Sequence, residues 1–322
     1  MKVLYFNNCW FTNVGEAFID IGGMELTKRM FPNAQIACIS GMSNYYIRMV
    51  KETFHERIRD IKKDFRNIKR KQEKAELPVG QMDDYLDADY VILPGMMATC
   101  GFLDAKERQM VDNLRARGCK LIFLGLGGFD YEGEEVYRFS NYLEETKPEF
   151  VVTRDIATYD NYKNVANCIN GIDCAFWTKD VFNPKGFQNS IYDVVTFNRS
   201  EEPEIFSTWT NPVIRPYHMQ FSYTKDEYRK DIMLSDTPYD YLTVYANANR
   251  VYTDLVHATI VSLMYGTPVK FWYVDKRSQA IYSLENLRTD SEKFMIINEA
   301  DLEEQKEKVL NAVKEHMSGQ NM

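Results

Sequence analysis

Residues 247–273, Asn247-Ala-Asn-Arg-Val-Tyr-Thr-Asp-Leu-Val-His-Ala-Thr-Ile-Val-Ser-Leu-Met-Tyr-Gly-Thr-Pro-Val-Lys-Phe-Trp-Tyr273, decide the fold. They read as a short strand, a polar turn with one histidine, a helix, a stop and a buried strand. The helix is expected over about His257–Tyr265, because Gly266 and Pro268 supply its stop signals. Val269–Val274 is apolar, β-branched and aromatic, which suits an interior strand. The turn then falls at the carboxyl end of a parallel strand, where open α/β sheets bind ligands. Thr253, Asp254, His257 and Thr259 crowd that spot.

The same alternation extends outward. Strands are expected at Lys2–Phe6, Ala34–Ile39, Tyr90–Leu93, Cys119–Leu124 and Phe150–Thr153, with helices at Glu16–Met30 and Ala105–Arg117. The pattern implies an α/β protein with a parallel sheet and helices on both faces. Trp177, Asn183, Pro184 and Gly186 interrupt it. A second set follows, with strands at Asp193–Phe197 and Asn211–Arg215 and a terminal helix at Asp301–His316. The expected organisation is therefore an N-terminal domain, residues 1–178, and a C-terminal domain, residues 179–322. The stretches Tyr85–Gly95 and Tyr245–Asp254 echo each other weakly, as paired doubly wound domains facing a cleft would.

The chain has 322 residues, a net charge of −8 and 45% hydrophobic residues. That charge argues against nucleic acid as a partner, so an anionic substrate needs a local basic pocket. The six cysteines are scattered without a CxxC pair and read as buried free thiols. No metal site is expected: no His/Cys/Asp cluster has ligand spacing. Asp87-Ala-Asp89 resembles a metal-binding Asp-x-Asp, but it sits at the start of a strand, the wrong end for a ligand. The short first apolar run reads as a strand rather than a signal peptide. No apolar stretch reaches the roughly 20 residues of a membrane span. A cytoplasmic location is expected. Residues 46–74 carry eleven Lys/Arg and five Asp/Glu at helical spacing. They read either as a solvated amphipathic helix or as a peripheral contact with a membrane surface.

Five short motifs in order resemble the polysaccharide pyruvyl transferase family. They are Asn13-Val-Gly15-Glu16, the glycine-ended strands at Gly95 and Gly125–Gly128, Val151-Val-Thr-Arg154-Asp155, Asp173-Cys-Ala-Phe176, and Thr253-Asp254-Leu-Val-His257 with Gly266-Thr-Pro268. The resemblance implies two Rossmann-like domains of glycosyltransferase type B architecture. It also implies transfer of a pyruvyl group from phosphoenolpyruvate to a glycan or lipid-linked sugar as a cyclic ketal, with no cofactor. This chain departs from the pattern twice: Glu16 stands where Asp is usual, and Leu255 where some members carry Arg. A glycosyltransferase using a sugar nucleotide, or a glycan-binding relative without turnover, remains an alternative.

Such a ketal needs a proton delivered to the enol methylene carbon, and histidine suits acid–base work near neutrality. His257 is the candidate general acid, with His218 next. Arg154, Arg199, Lys276 and Arg277 follow strand ends and are candidates for the donor's anionic groups. Backbone N–H groups near Ala258 and Thr259 are further candidates, with Thr253 and Thr259 beside them. Asp173 and Asp254 are candidate bases for the sugar hydroxyl, although Asp254 could instead cap the following helix. Asn13, Gly15, Glu16, Gly95, Gly127 and Gly128 are expected on the cleft loops. The glycine spacing is not that of a dinucleotide site.

Overall fold

The computed structural model describes residues 1–8, 10, 13–40, 85–104, 106–219, 232–272 and 275–318. The charged stretch 46–74, Cys9 and His55 lie outside them. The first half runs β1 (Lys2–Asn7), α1 (Val14–Met30), β2 (Gln35–Ser40), β3 (Tyr90–Pro94), α2 (Lys106–Ala116), β4 (Lys120–Leu126), α3 (Gly133–Thr146), β5 (Phe150–Thr153), α4 (Ile156–Tyr162) and β6 (Cys168–Asn170). Its strands pair in parallel in the order β2-β1-β3-β4-β5-β6.

The central strands are apolar throughout because both faces are covered. Tyr5, Ile92, Ile122, Leu124 and Val152 face one core, which α1 covers with Phe18, Ile19, Leu26 and Met30. Phe6, Val91, Leu93, Phe123 and Val151 face the other, with Val111 and Leu114 of α2 and Phe139 and Leu143 of α3. Strand order reverses between β1 and β3, so a crevice opens beyond their carboxyl ends.

The second half runs β7 (Asp193–Thr196), β8 (Val213–Pro216), β9 (Ile232–Met233), α5 (Pro238–Asn247), β10 (Val251–Thr253), α6 (Val256–Met264), β11 (Val269–Phe271), β12 (Arg288–Thr289), β13 (Met295–Ile296) and α7 (Glu299–Ser318). The sheet order is β12-β13-β11-β10-β7-β8-β9, parallel except that β13 runs antiparallel to both its neighbours. Here the reversal lies between β7 and β10. Tyr241 and Tyr245 of α5 and Ile260 and Val261 of α6 join Val194, Val251 and Val269 in the same core as α1. One apolar core therefore runs through both sheets. The opposite face of the second sheet carries Val195, Tyr252 and Phe294 under Phe206, Trp209 and Trp272, an aromatic cluster in place of a long helix.

The chain passes from Asn170 to Asp193 between the sheets, with Trp177 fully buried on the way. Helix α7 returns to the first half. Lys306 Nζ meets Asp180 at 2.6 Å, and Arg29 of α1 meets the same carboxylate at 2.8 Å. Three expectations need correction. Helix α3 and the short strands β6, β9, β12 and β13 were not foreseen. The strand after Pro268 ends at Phe271, short of Val274. Cys38 lies exposed on β2, because that edge strand has an uncovered face, whereas Cys119 and Cys174 are buried.

Candidate functional site

Two helix N-termini meet beyond the two crevices. Asn13 caps α1 by accepting from the Gly15 amide at 3.0 Å. The loop before it is fastened by Asp20, whose carboxylate accepts from the Asn8 amide, the Asn8 side chain and the Trp10 indole. Opposite, α6 begins after Leu255, with His257 in its first turn. The His257 ring lies against Gly15: a Cβ there would stand 2.3 Å from Nδ1. Only a glycine lets the two turns approach this closely. Gly15→Ala should displace the ring and destabilise by about 1–3 kcal/mol, the usual effect of overpacking. Turnover should fall with it; unchanged activity would mean that the ring position is unimportant.

Between the turns lies a cavity of about 390 Å³. Asn13, Glu16, Gly95, Arg154, Arg199, His257 and Arg277 line it, with Phe6, Leu93, Met96, Met97 and Phe102 on the first-sheet side. Gly95 turns the chain with a φ of +58°, a conformation that suits glycine. Arg154 is 3% exposed. Its Nη1 is 3.5 Å from Asp173 and its Nη2 reaches the Met97 sulfur at 2.8 Å, while Nε has no partner. Gly127 makes room for this guanidinium, since a Cβ there would meet Nε at 2.1 Å. Asp173 also accepts from the Ala175 amide and stands 3.9 Å from His257 Nε2, which has no hydrogen bond.

Burial sets the charge states. It pushes His257 down from 6.5 to about 4; Asp173 opposes the shift, and Arg154, Arg277 and Arg199 add to it. The imidazole is thus uncharged at neutral pH. Burial raises Glu16 to about 7 and Asp20 to about 8. His218 falls to about 3 through burial and the nearby His257.

These shifts fix a stability profile. Glu16 and Asp20 keep protons in the folded state that the unfolded chain releases near 4.5 and 3.8, so stability falls as pH rises towards 8. The histidines act oppositely: the unfolded chain gains their protons below 6.5, the folded chain only near 3 to 4. Above 6.5 only the carboxyl effect remains. The denaturant midpoint should therefore drop between pH 6.5 and 8, and Asp20→Asn should flatten that slope.

The other expected site residues sit elsewhere. Asp254 neither lines the cavity nor caps α6. Its oxygens accept from the amides of Asn198, Arg199 and Ser200 and from the Ser200 hydroxyl, so it pins the loop after β7. Lys276 bridges to Glu132 and the Asp130 carbonyl outside the cavity. Thr253 accepts from the Leu255 amide, and Thr259 donates to the Leu255 carbonyl. The Thr259 amide is likewise used within the helix. The amides that α6 leaves without intrahelical acceptors are those of Val256, His257 and Ala258. Gly128 gives its amide to Thr158, away from the cavity. His218, by contrast, does line the cavity, with its ring bonded to Tyr245, and its carbonyl accepts the Val14 amide, tying α1 to the second half. Asp89 holds the Lys2 amide at the start of β3, a structural role. Asp20, Met97 and Asp275 were missed. Asp275 grips Arg277 and also stands 3.5 Å from Arg199.

The sheets form an α/β frame of glycosyltransferase type B architecture, with an arginine-lined cavity between them. The chain belongs to the polysaccharide pyruvyl transferase family, which it matches over residues 13–269. No curated protein matches. Among solved structures, UDP-N-acetylglucosamine 2-epimerase from Rickettsia bellii is 11% identical at a TM-score of 0.53, covering 99% of this chain and 96% of that one. UDP-GlcNAc 2-epimerase from Methanocaldococcus jannaschii, in complex with UDP-GlcNAc and UDP, is 11% identical at 0.52, covering 100% and 99%. S. aureus MnaA with UDP is 10% identical at 0.52, covering 98% and 90%. These likenesses are of fold. No helix among the described residues is long and apolar enough to cross a membrane.

Proposed function

We propose that the protein transfers the pyruvyl group of phosphoenolpyruvate to two hydroxyls of a sugar in a cell-surface glycan precursor, closing a cyclic ketal. One observation carries this reading: three arginines and two helix N-termini converge on one cavity around an uncharged histidine. Phosphoenolpyruvate carries a phosphate and a carboxylate, and each seeks guanidinium forks and free backbone N–H groups. Arg154 supplies the buried charge from the first half. Arg199 and Arg277 approach from the second half, beside Leu255. They provide the cations that an arginine at position 255 would otherwise add. His257, uncharged in the free site, is placed to take a proton from the attacking sugar hydroxyl. The sugar would lie on the first-sheet side of the cavity.

The test is incubation with phosphoenolpyruvate and a panel of nucleotide-linked and lipid-linked sugars. The expected result is release of phosphate and a product heavier by one pyruvyl ketal. Phosphoenolpyruvate should also raise the melting temperature by mass action. A rise with sugar nucleotides alone, and no ketal, would favour glycosyl transfer instead. The chemistry proposed needs no Lewis acid, and no described group of three His, Cys, Asp or Glu side chains could hold a metal ion. A chelator should therefore leave turnover unchanged; loss reversed by Mg²⁺ or Mn²⁺ would contradict this.

A further inference from the structure

Ketal formation moves more than one proton. The methylene carbon gains one as it becomes a methyl group, and C2 then accepts the first hydroxyl oxygen. The C2–O bond to phosphate breaks, and the second hydroxyl closes the ring. Two hydroxyl protons are released; one balances the methyl group and the other leaves with phosphate. A single histidine that must begin uncharged to accept a hydroxyl proton cannot also begin as the acid.

Resting on the pyruvyl transfer reading, we propose that Glu16 is the second catalytic residue, delivering the proton to the methylene carbon while His257 serves the acceptor hydroxyl. The geometry points to this division. Glu16 follows Gly15, the residue against which the His257 ring packs, so both side chains border the same cavity from facing helix turns. Among the described residues lining that cavity, Glu16 is the sole carboxyl group. Asn13 Nδ2 donates to it at 3.3 Å, and no described cation lies within ion-pair distance. An acid committed to a structural ion pair would not be left in this state.

The charges around Glu16 are those of Arg154 and Arg277, which favour its ionised form, and Asp173, which opposes it; Asp20 and His257 are both uncharged near neutrality. Burial outweighs the arginines and holds the carboxyl near 7. A bound anionic donor raises it further, because like charge disfavours the carboxylate. Glu16 is then protonated when the donor is in place. After one turnover it is a carboxylate and His257 an imidazolium, and a proton passed through phosphate or solvent resets the pair.

The experiment compares wild type, E16Q and E16D with phosphoenolpyruvate and an acceptor found as above. Glutamine keeps the shape and the Asn13 contact but carries no acidic proton. E16Q should lose about 10²–10⁴-fold in kcat, the usual worth of a general acid. Its KM for phosphoenolpyruvate should change little, and its melting temperature should not fall, since the glutamine removes the cost of ionising a buried carboxyl. E16D, which still titrates, should recover part of the loss. The wild-type minus E16Q difference spectrum should show a protonated-carboxyl infrared band that disappears as pH rises through the neutral range, distinct from the band that Asp20 contributes to both proteins. Near wild-type turnover in E16Q, with H257A inactive, would overturn the role of Glu16 and leave pyruvyl transfer standing. Absence of any ketal from wild type would instead overturn the transfer reading, and this inference with it. A fall in melting temperature equal in E16Q and E16D, without recovery of turnover in E16D, would mark a structural role.

Discussion

His257→Ala should lower turnover by about 10²–10⁴-fold, the range for losing a positioned acid or base. The ring has no hydrogen-bond partner at Nε2 and packs on Gly15, so its removal opens space at the cavity and leaves no buried donor or acceptor without its partner. The melting temperature should change little and phosphoenolpyruvate should still bind, because Arg154, Arg199 and Arg277 remain. A matching fall in kcat and kcat/KM would mark an interaction made in the transition state. Retention of near-full activity would place proton transfer elsewhere. His218 cannot take over in its present position, since its Nε2 is bonded to Tyr245 and the ring is 2% exposed.

Asp173→Ala should instead act mainly on folding. The carboxylate is 1% exposed and stands opposite the buried Arg154 guanidinium at 3.5 Å. Removing one member of a buried pair leaves the other charge uncompensated, at a cost of about 3–5 kcal/mol. The Ala175 amide also loses its acceptor. Urea unfolding should show a lower midpoint at unchanged slope, and Asp173→Asn should fall between. If Asp173→Ala unfolds like wild type, Arg154 finds its counter-charge elsewhere. The position also tunes His257, because Asp173 is the largest influence holding the imidazole up against burial.

Much of the frame could be read from residue pattern. Phe150–Thr153 and Gly266–Pro268 stand where strand and stop were expected, because buried parallel strands are uninterrupted apolar runs and Gly-x-Pro ends a helix sharply. The weak echo between Tyr85–Gly95 and Tyr245–Asp254 has a topological basis: β3 and β10 each flank the reversal of their own sheet. Less legible were α3, whose first turn has no side-chain cap, and the strands β12 and β13 at one end of the second sheet, only two residues each. Pattern also placed Asn13, Glu16, Arg154 and His257 near strand ends, and the fold brings them to one cavity. It could not tell Asp254 from a catalytic base. That distinction depends on three backbone amides from residues 198–200, more than fifty positions earlier in the chain. Asp20 was invisible for the same reason: a lone acid inside a helix acquires its meaning only when Asn8 and Trp10 fold back onto it.

The return of α7 to the first half gives the molecule a mechanical character. The polypeptide crosses between its two sheets outward after Asn170 and back before Glu299, so the halves are joined by two straps rather than one. Together with the apolar core shared by both sheets, a pair opposes swivelling of one half against the other. Leu302, Val309, Leu310 and Val313 fasten the returning strap, each burial worth about 1.5–3 kcal/mol. The two turns that carry Gly15 and His257 are thereby held in register, face to face.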